Sequence, residues 1–316
     1  MDTISIGITC YNAEGSIEAA VRSAQQQNWP HVEIVVVDDH SSDRSGDILE
    51  RLASQDPRIR VVRHTENRGV GAARNTLLEH ATGTFVAFFD DDDESRPERL
   101  AAQHRRIVEY ERATGAPLVL CGTASTRVYR DGSTDYAPCL GAEATPGPSG
   151  EAVARLILLG QPTAGPRGVF PTSTQMARRT TYASVGGFDP LLRRHEDTDL
   201  NLRLALQGAH FTGLADPLVT RHMTATDDKS LRAEYQGALD LIEKHRELLE
   251  RWGWYDFNRL WCDMKFARLD GGVRSALPCL FRLLARFPAK LARKLAWAVP
   301  NRARYAKYRQ VHGAGA

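Results

Sequence analysis

Four short apolar runs recur in the first 90 residues, and helical spacing fills the gaps between them. The runs are Ile4-Ser-Ile-Gly-Ile8, Glu33-Ile-Val-Val-Val37, Ile59-Arg-Val-Val62 and Phe85-Val-Ala-Phe-Phe89. Each is too short for a helix and rich in β-branched or aromatic residues, which marks it as a strand. Helices are expected over Ser16–Gln26, Asp47–Ser54 and about Gly71–His80. Strands alternating with helices at this spacing predict an α/β chain with a mostly parallel sheet flanked by helices. Open sheets of that kind bind ligands beyond the carboxyl ends of their strands. Two runs end in acids at that place, one in Asp38-Asp39 and the other in Asp90 to Asp93. If both ends lie on one rim, the acids converge on one site.

Four consecutive carboxylates after a buried strand repel one another unless a cation sits among them. A hard divalent cation, Mn²⁺ or Mg²⁺, takes oxygen ligands and shares them with phosphates. The plain alternative is a solvated acidic turn in which Asp93 or Ser95 caps a helix ahead of Pro97. One cap needs one acid, however, and four are present.

With 316 residues, 42% hydrophobic and 25% charged, the chain can bury a core without disulfide or metal staples. Five scattered cysteines without a Cys-x-x-Cys pair argue against a zinc site and for a reducing compartment. Neither a secretory signal nor a membrane-spanning stretch is read, so the expected location is cytoplasmic. The charge is uneven. From Arg268 onward there are 11 Lys/Arg against Asp270 alone, a net +10, whereas the preceding residues carry 30 Lys/Arg and 38 Asp/Glu, a net −8.

Beyond the fourth strand, residues 131–150 read as a long Gly/Pro/Ser/Thr-rich loop, Glu151–Gly160 as a helix and Thr172–Ala177 as a strand. Gly186-Gly187-Phe188-Asp189 reads as a turn. Leucines at 200, 202, 204 and 206 alternate as in a strand, but the lack of β-branched residues and the stop at Gly208 favour a helix over Asp199–Gln207. From Ser230 onward the pattern is helical. These readings divide the chain into 1–228, with halves 1–100 and 101–228, and a helical, basic region 229–316.

Six motifs then fall in order: Thr9-Cys-Tyr-Asn-Ala-Glu14; Val37-Asp-Asp-His-Ser-Ser-Asp43; Asn67-Arg-Gly69 with Ala73-Arg-Asn75; Phe89 to Asp93 with Pro97 and Leu100; Gly186-Gly-Phe-Asp189; and His195-Glu-Asp197. In this order they resemble the inverting glycosyltransferases of family 2, over residues 3 to about 222. The resemblance implies the GT-A nucleotide-diphospho-sugar transferase fold with a helical extension. It also implies a nucleotide-sugar donor, a glycan or lipid-linked glycan acceptor and a divalent metal. Thr9, Tyr11 and Glu14 match residues around the base and ribose, and Asp39 matches the acid that accepts from uracil N3–H. Arg74 falls near the diphosphate and Asp92 near the ribose. Asp90 and Asp93 match the metal motif, with Asp91 at its variable, idle position, and His222 matches a histidine that completes the site. Asp197 matches the catalytic base, with Glu196 as the runner-up. The Gln-x-x-Arg-Trp motif of processive polymer synthases is missing, which implies non-processive transfer in polysaccharide or glycoconjugate synthesis.

Gly69-Val-Gly71-Ala-Ala-Arg74 imitates a dinucleotide fingerprint, but Arg74 fills the slot where close helix–strand packing needs a small residue. A sugar-phosphate nucleotidyltransferase would carry a basic glycine-rich loop where Cys10-Tyr-Asn-Ala-Glu-Gly15 stands. A non-enzymatic binder of sugar nucleotides would be expected to lack Asp93 or Asp197. In the tail, Leu280, Leu284, Phe287, Leu291, Leu295 and Ala298 keep helical spacing among basic residues, with Trp297, Tyr305 and Tyr308 beyond and Pro288 interrupting. That pattern predicts either a basic amphipathic surface for anionic lipid, and hence a peripheral seat on the inner face of the cytoplasmic membrane, or a helical subdomain packed on the catalytic core with a solvated basic face. Nucleic acid is not an expected partner, because the acidic body repels it.

Overall fold

The computed structural model describes residues 2–160, 168–223 and 230–298, which form two compact units. The first comprises Met1–Ala154 and Thr163–His222, the second Arg155–Pro162 and Met223–Ala316. Trp297 (as regards its side chain), Tyr305 and Tyr308 lie outside the described residues.

The first unit opens as β1 (Ile4–Cys10), α1 (Ile17–Gln25), β2 (Val32–Asp38), α2 (Ser45–Gln55), β3 (Ile59–Arg63), α3 (Val70–His80) and β4 (Phe85–Asp90). Then follow β5 (Asp93–Ser95), α4 (Arg99–Thr114), β6 (Val119–Val128), β7 (Thr134–Ala137), α5 (Gly150–Leu159, of which the residues from Arg155 belong to the second unit), β8 (Met176–Arg178), α6 (Arg179–Ala183), α7 (Glu196–Leu206) and β9 (His210–His222). The strand order is β3-β2-β1-β4-β8-β6-β9-β5, with β7 on β6. β1 to β4 are mutually parallel where they pair, so the expected parallel sheet is present, and antiparallel β8 continues it toward β6. Ile6, Ile8, Val36, Phe85 and Phe89 bury one face against Ile17, Val21, Leu49, Leu100 and Ile107 of the helices.

The order reverses beside β1: β2 and β3 lie on one side and β4 on the other. That is the switch point, and it puts the carboxyl ends of β1, β2 and β4 on one rim, with Cys10 opposite Asp38 and Thr9 opposite Asp90. β5 follows β4 after two residues yet pairs with β9 at the far end of the order. The sheet therefore curls back on itself, and the acidic turn closes the curl.

The plain alternative for the acidic turn gives way, and two local expectations are corrected. Asp93-Glu94-Ser95 is a strand, not a helix cap; its backbone finds partners on Val219–Arg221, so no side-chain cap is required. Residues 131–150 contain β7, and bridges Ala142–Gly213 and Ser149–His210 tie the stretch to β9. Thr172–Thr174 is a 3₁₀ turn, with β8 starting only at Met176.

In the second unit, α8 (Leu231–Lys244), α9 (Arg246–Arg251), α10 (Tyr255–Arg286) and α11 (Pro288–Ala298) enclose a cluster of Leu159, Leu239, Ile242, Leu249, Trp254, Phe257, Phe266, Leu283 and Leu291. α10 breaks its helical path at Gly272 (φ 77°). Pro288 starts α11, where its missing N–H costs nothing. The expected apolar face of the tail is partly consumed here: Leu280, Phe287 and Leu291 pack on the cluster, while Leu284 and Leu295 stay exposed. No helix among the described residues is long and apolar enough to cross a membrane.

Candidate active site

The rim gathers the predicted acids. One carboxylate oxygen from each of Asp90, Asp92 and Asp93 lies within 4.8 Å of the others. Asp93 is buried, and burial pushes its carboxyl up to about 7, with Asp90 adding to the rise and Arg221 opposing it. Its Oδ1 accepts from the His222 backbone N–H at 3.2 Å. Its Oδ2 is buried without a hydrogen bond, 3.5 Å from Arg221 Nε. An all-oxygen set with one orphaned buried oxygen fits a hard divalent cation, so these residues suit the metal that the resemblance implies. Asp91 is not idle: its Oδ2 accepts the Tyr11 backbone N–H at 3.1 Å, tying the turn to the end of β1.

Arginines balance these acids. Arg74 is buried, donating from Nη2 to Asp90 Oδ1 at 3.3 Å and from Nη1 to Glu196 Oε1. Arg99 lies wholly buried behind the turn and donates to Ser95 Oγ at 2.8 Å, Gln103 Oε1 at 3.0 Å and the Phe88 carbonyl at 2.9 Å. Its guanidinium sits 4.3 Å from the Phe89 ring centroid. Burial lowers Arg99 to about 9, which still leaves it charged at neutral pH, with Asp93 and Asp90 helping to hold the proton.

α7 brings in the other acids. Glu196 and Asp197 occupy its first turn, where the helix dipole favours negative charge. The approach of α7 is set by the turn before it. Gly187 has φ 73°, and a Cβ there would meet Asn75 Oδ1 at 2.5 Å. Asn75 clamps the turn from both sides, donating to the Phe188 carbonyl and accepting its N–H, both at 2.8 Å. Gly71 leaves room for the Asp189 carbonyl, which would stand 3.0 Å from a Cβ. Arg203 donates to the Val185 and Gly187 carbonyls at 2.6 and 2.7 Å. Burial raises the Glu196 carboxyl to about 6 against the pull of Arg74. Asp197 is only half-buried; its Oδ1 accepts from Thr198 N–H at 2.6 Å and Thr198 Oγ1 at 3.1 Å. Among the described residues its Oδ2 has no donor.

On the β1–β2 side, Asp39 is buried. Its Oδ1 lies 2.6 Å from His64 Nδ1 and accepts Arg68 N–H at 2.9 Å, and its Oδ2 accepts Gly69 N–H at 2.7 Å. His64 Nε2 lies 3.0 Å from Thr76 Oγ1, so the ring bridges Asp39 and the threonine. Thr9 stands at the β1 end and Tyr11 is exposed beyond it. Glu14 accepts from the backbone N–H and Nε of Arg44 at 3.1 and 3.2 Å. His222 places its Nε2 3.2 Å from Glu94 Oε1, with only its backbone on Asp93.

Residues 5–138 match the sequence model of glycosyl transferase family 2. The chain carries a family 2 glycosyltransferase domain. A putative teichuronic acid biosynthesis glycosyltransferase of Bacillus subtilis, TuaG, is 42% identical over 106 residues, which cover 34% of this chain and 42% of TuaG. The chain thus spans well under half the length of that relative. Two solved structures share the fold. S. aureus TarS 1–349 in complex with UDP-GlcNAc has a TM-score of 0.56 at 18% identity, over 96% of this chain and 92% of that one. Mannosyltransferase PcManGT from Pyrobaculum calidifontis, in complex with GDP-Man and Mn²⁺, has a TM-score of 0.58 at 19% identity, over 98% and 85%.

Within the glycosyltransferase domain and the segment that completes its sheet, sequence reasoning missed four participants. His64 follows the third strand on the same rim, and that position was the available signal. Arg99 follows Pro97 at a helix start, where an arginine is ordinarily solvated. Arg221 sits one residue before the histidine that drew notice. Asp91 acts through a backbone bond, which leaves no mark in a sequence.

Proposed function

We propose that the chain is a metal-dependent inverting glycosyltransferase that moves a sugar from a UDP-sugar to a hydroxyl of a glycan or lipid-linked glycan, non-processively, in polysaccharide synthesis. The observation that carries this reading is the Arg74 bridge. One buried guanidinium joins Glu196, the neighbour of the proposed base, to Asp90 of the acidic turn. Base and donor site are thereby held in one charge network.

Asp197 Oδ2 takes the proton of the acceptor hydroxyl. The hydroxyl oxygen bonds to the anomeric carbon from the face opposite the diphosphate. The bond from that carbon to the diphosphate oxygen breaks, and its electron pair leaves with the diphosphate. A single displacement inverts the centre and needs one carboxylate, unlike the two of a retaining glycosidase. Glu196, neutralised by Arg74, keeps Asp197 as the accessible acid of the pair.

Asp90 and Asp93, with His222 if its ring turns from Glu94, would hold a divalent cation, which stabilises charge on the departing diphosphate. Thr9, Tyr11, Glu14 and Asp92 would surround base and ribose, and Arg74 would support the diphosphate side. Asp39 fits uracil through arithmetic: an ionised carboxylate offers about four lone pairs. Three are taken by His64, Arg68 and Gly69, which leaves one for N3–H. TarS was captured with UDP-GlcNAc and TuaG is named for teichuronic acid synthesis, which supports a UDP-sugar and a polysaccharide setting. PcManGT was captured with Mn²⁺, which supports the metal.

Incubation with UDP-glucose, UDP-galactose and UDP-GlcNAc in the presence of Mn²⁺ should release UDP from at least one donor. EDTA should stop the release. Intact donors in every case, or release indifferent to EDTA, would count against this function.

A further inference from the structure

The second unit bears an apolar ridge outside its own core. Past the break at Gly272, Ala276 and Leu283 of α10 are buried, and Leu280 packs on the cluster. Val273, Leu277, Phe281 and Leu284 stand beside that stripe, 66%, 39%, 66% and 49% exposed. At about 100° per residue they fall within an arc of roughly 80°, so they form one continuous ridge. Leu295 of α11 is exposed as well. These five make up most of the large exposed hydrophobic side chains among the described residues. A concentration of that kind marks an interaction surface, whereas scattered exposed residues would not.

The charge carried by the helical residues beyond the break is of one sign. No Asp or Glu follows Asp270 in the sequence. Arg274, Arg282, Arg286 and Arg293 are exposed, and of these Arg286 pairs with Asp256 at 3.5 Å. The lysines turn inward instead: Lys290 donates to the Gly253 carbonyl beneath the Trp254 ring, and Lys294 donates to the Leu159 carbonyl near Trp261. The arginines are therefore the cations offered to a partner. A second copy of the same ridge would set like charges against each other.

We infer that this ridge docks on an anionic lipid surface, with Val273, Leu277, Phe281 and Leu284 entering the headgroup–acyl boundary and Arg274, Arg282 and Arg293 meeting lipid phosphates. Apolar area and basic flanks together are what interfacial helices use, and neither suffices alone.

Sedimentation of the full chain with vesicles tests this, and it needs no sugar nucleotide, so it stands separately from the transferase function. The chain should bind phosphatidylcholine–phosphatidylglycerol vesicles, less so in high salt, and should not bind pure phosphatidylcholine. Phe281→Glu should abolish binding while thermal unfolding is unchanged, since the side chain is exposed. Each of Arg274→Ala and Arg282→Ala should weaken binding about fivefold. Phe281→Trp, which keeps the ridge apolar, should show a blue-shifted emission when anionic vesicles are added, whatever the fate of the glutamate variant. Equal binding by Phe281→Glu, or an unshifted emission, would overturn the inference. So would a dimer detected by light scattering that Phe281→Glu dissociates while vesicles capture neither form.

Discussion

Asp197→Asn is expected to lower sugar transfer by about 10²–10⁴-fold, the usual contribution of a positioned general base, while nucleotide affinity is unchanged. The asparagine keeps the carbonyl oxygen that Thr198 N–H and Oγ1 address, so α7 should stay in place. What is lost is the second oxygen as a proton acceptor. Steady-state transfer and calorimetric titration of UDP on the same preparation separate the two effects. Glu196→Gln is the companion variant. If Asp197→Asn retained near-normal turnover while Glu196→Gln lost it, the base would be Glu196 and the assignment here would be reversed.

Arg74→Met should be the most destabilising single change at the site. It leaves Glu196 buried without its partner, a defect that costs about 3–5 kcal/mol, and melting should fall by about 10 °C. The sign of the pH dependence follows from Glu196. Burial has already raised its carboxyl to about 6, above the unfolded value, so its contribution to stability is present at low pH and lost as pH rises through about 6. Removing Arg74 raises it further, because Arg74 is the main group pulling it down. The deficit of the variant should therefore be small at pH 5, where Glu196 is neutral in both proteins, and larger at pH 8. A deficit that is flat across this range would show that Arg74 acts by packing on Phe188, whose ring centroid lies 5.4 Å away, and not through charge.

Much of the fold was legible because its physics is local. β1, β2 and β4 are apolar runs of strand length, and burial on both faces keeps those runs continuous. α7 shows why its periodicity was ambiguous: Leu200, Leu202 and Leu204 are all buried although they lie on different sides of the helix, so burial does not select one apolar stripe. β5 was illegible for another reason. Asp93-Glu94-Ser95 is held by backbone pairing with β9, and its side chains carry no strand signal. The 3₁₀ turn at Thr172–Thr174 likewise has the residue types of a strand without its ladder.

At the site, the acids could be read because strand ends point to the rim, and Arg74 could be read with them, but Arg99 and Arg221 could not. Those two lie far apart in sequence and reach the acidic turn only through the curl of the sheet. The tail shows the converse. Its helical spacing was plain, yet which stripe faces the core depends on packing against Trp254 and Phe257, and so the exposed ridge is not the stripe that spacing alone selects.

The central claim is that the acidic turn holds a metal that in turn holds a nucleoside diphosphate. Calorimetric titration of UDP, dTDP, GDP and NAD, with and without Mn²⁺, on the wild-type chain and on Asp93→Ala addresses it most directly. The account predicts UDP binding that requires Mn²⁺ and disappears in Asp93→Ala. Binding of NAD alone, or UDP binding indifferent to both the metal and Asp93, would contradict it.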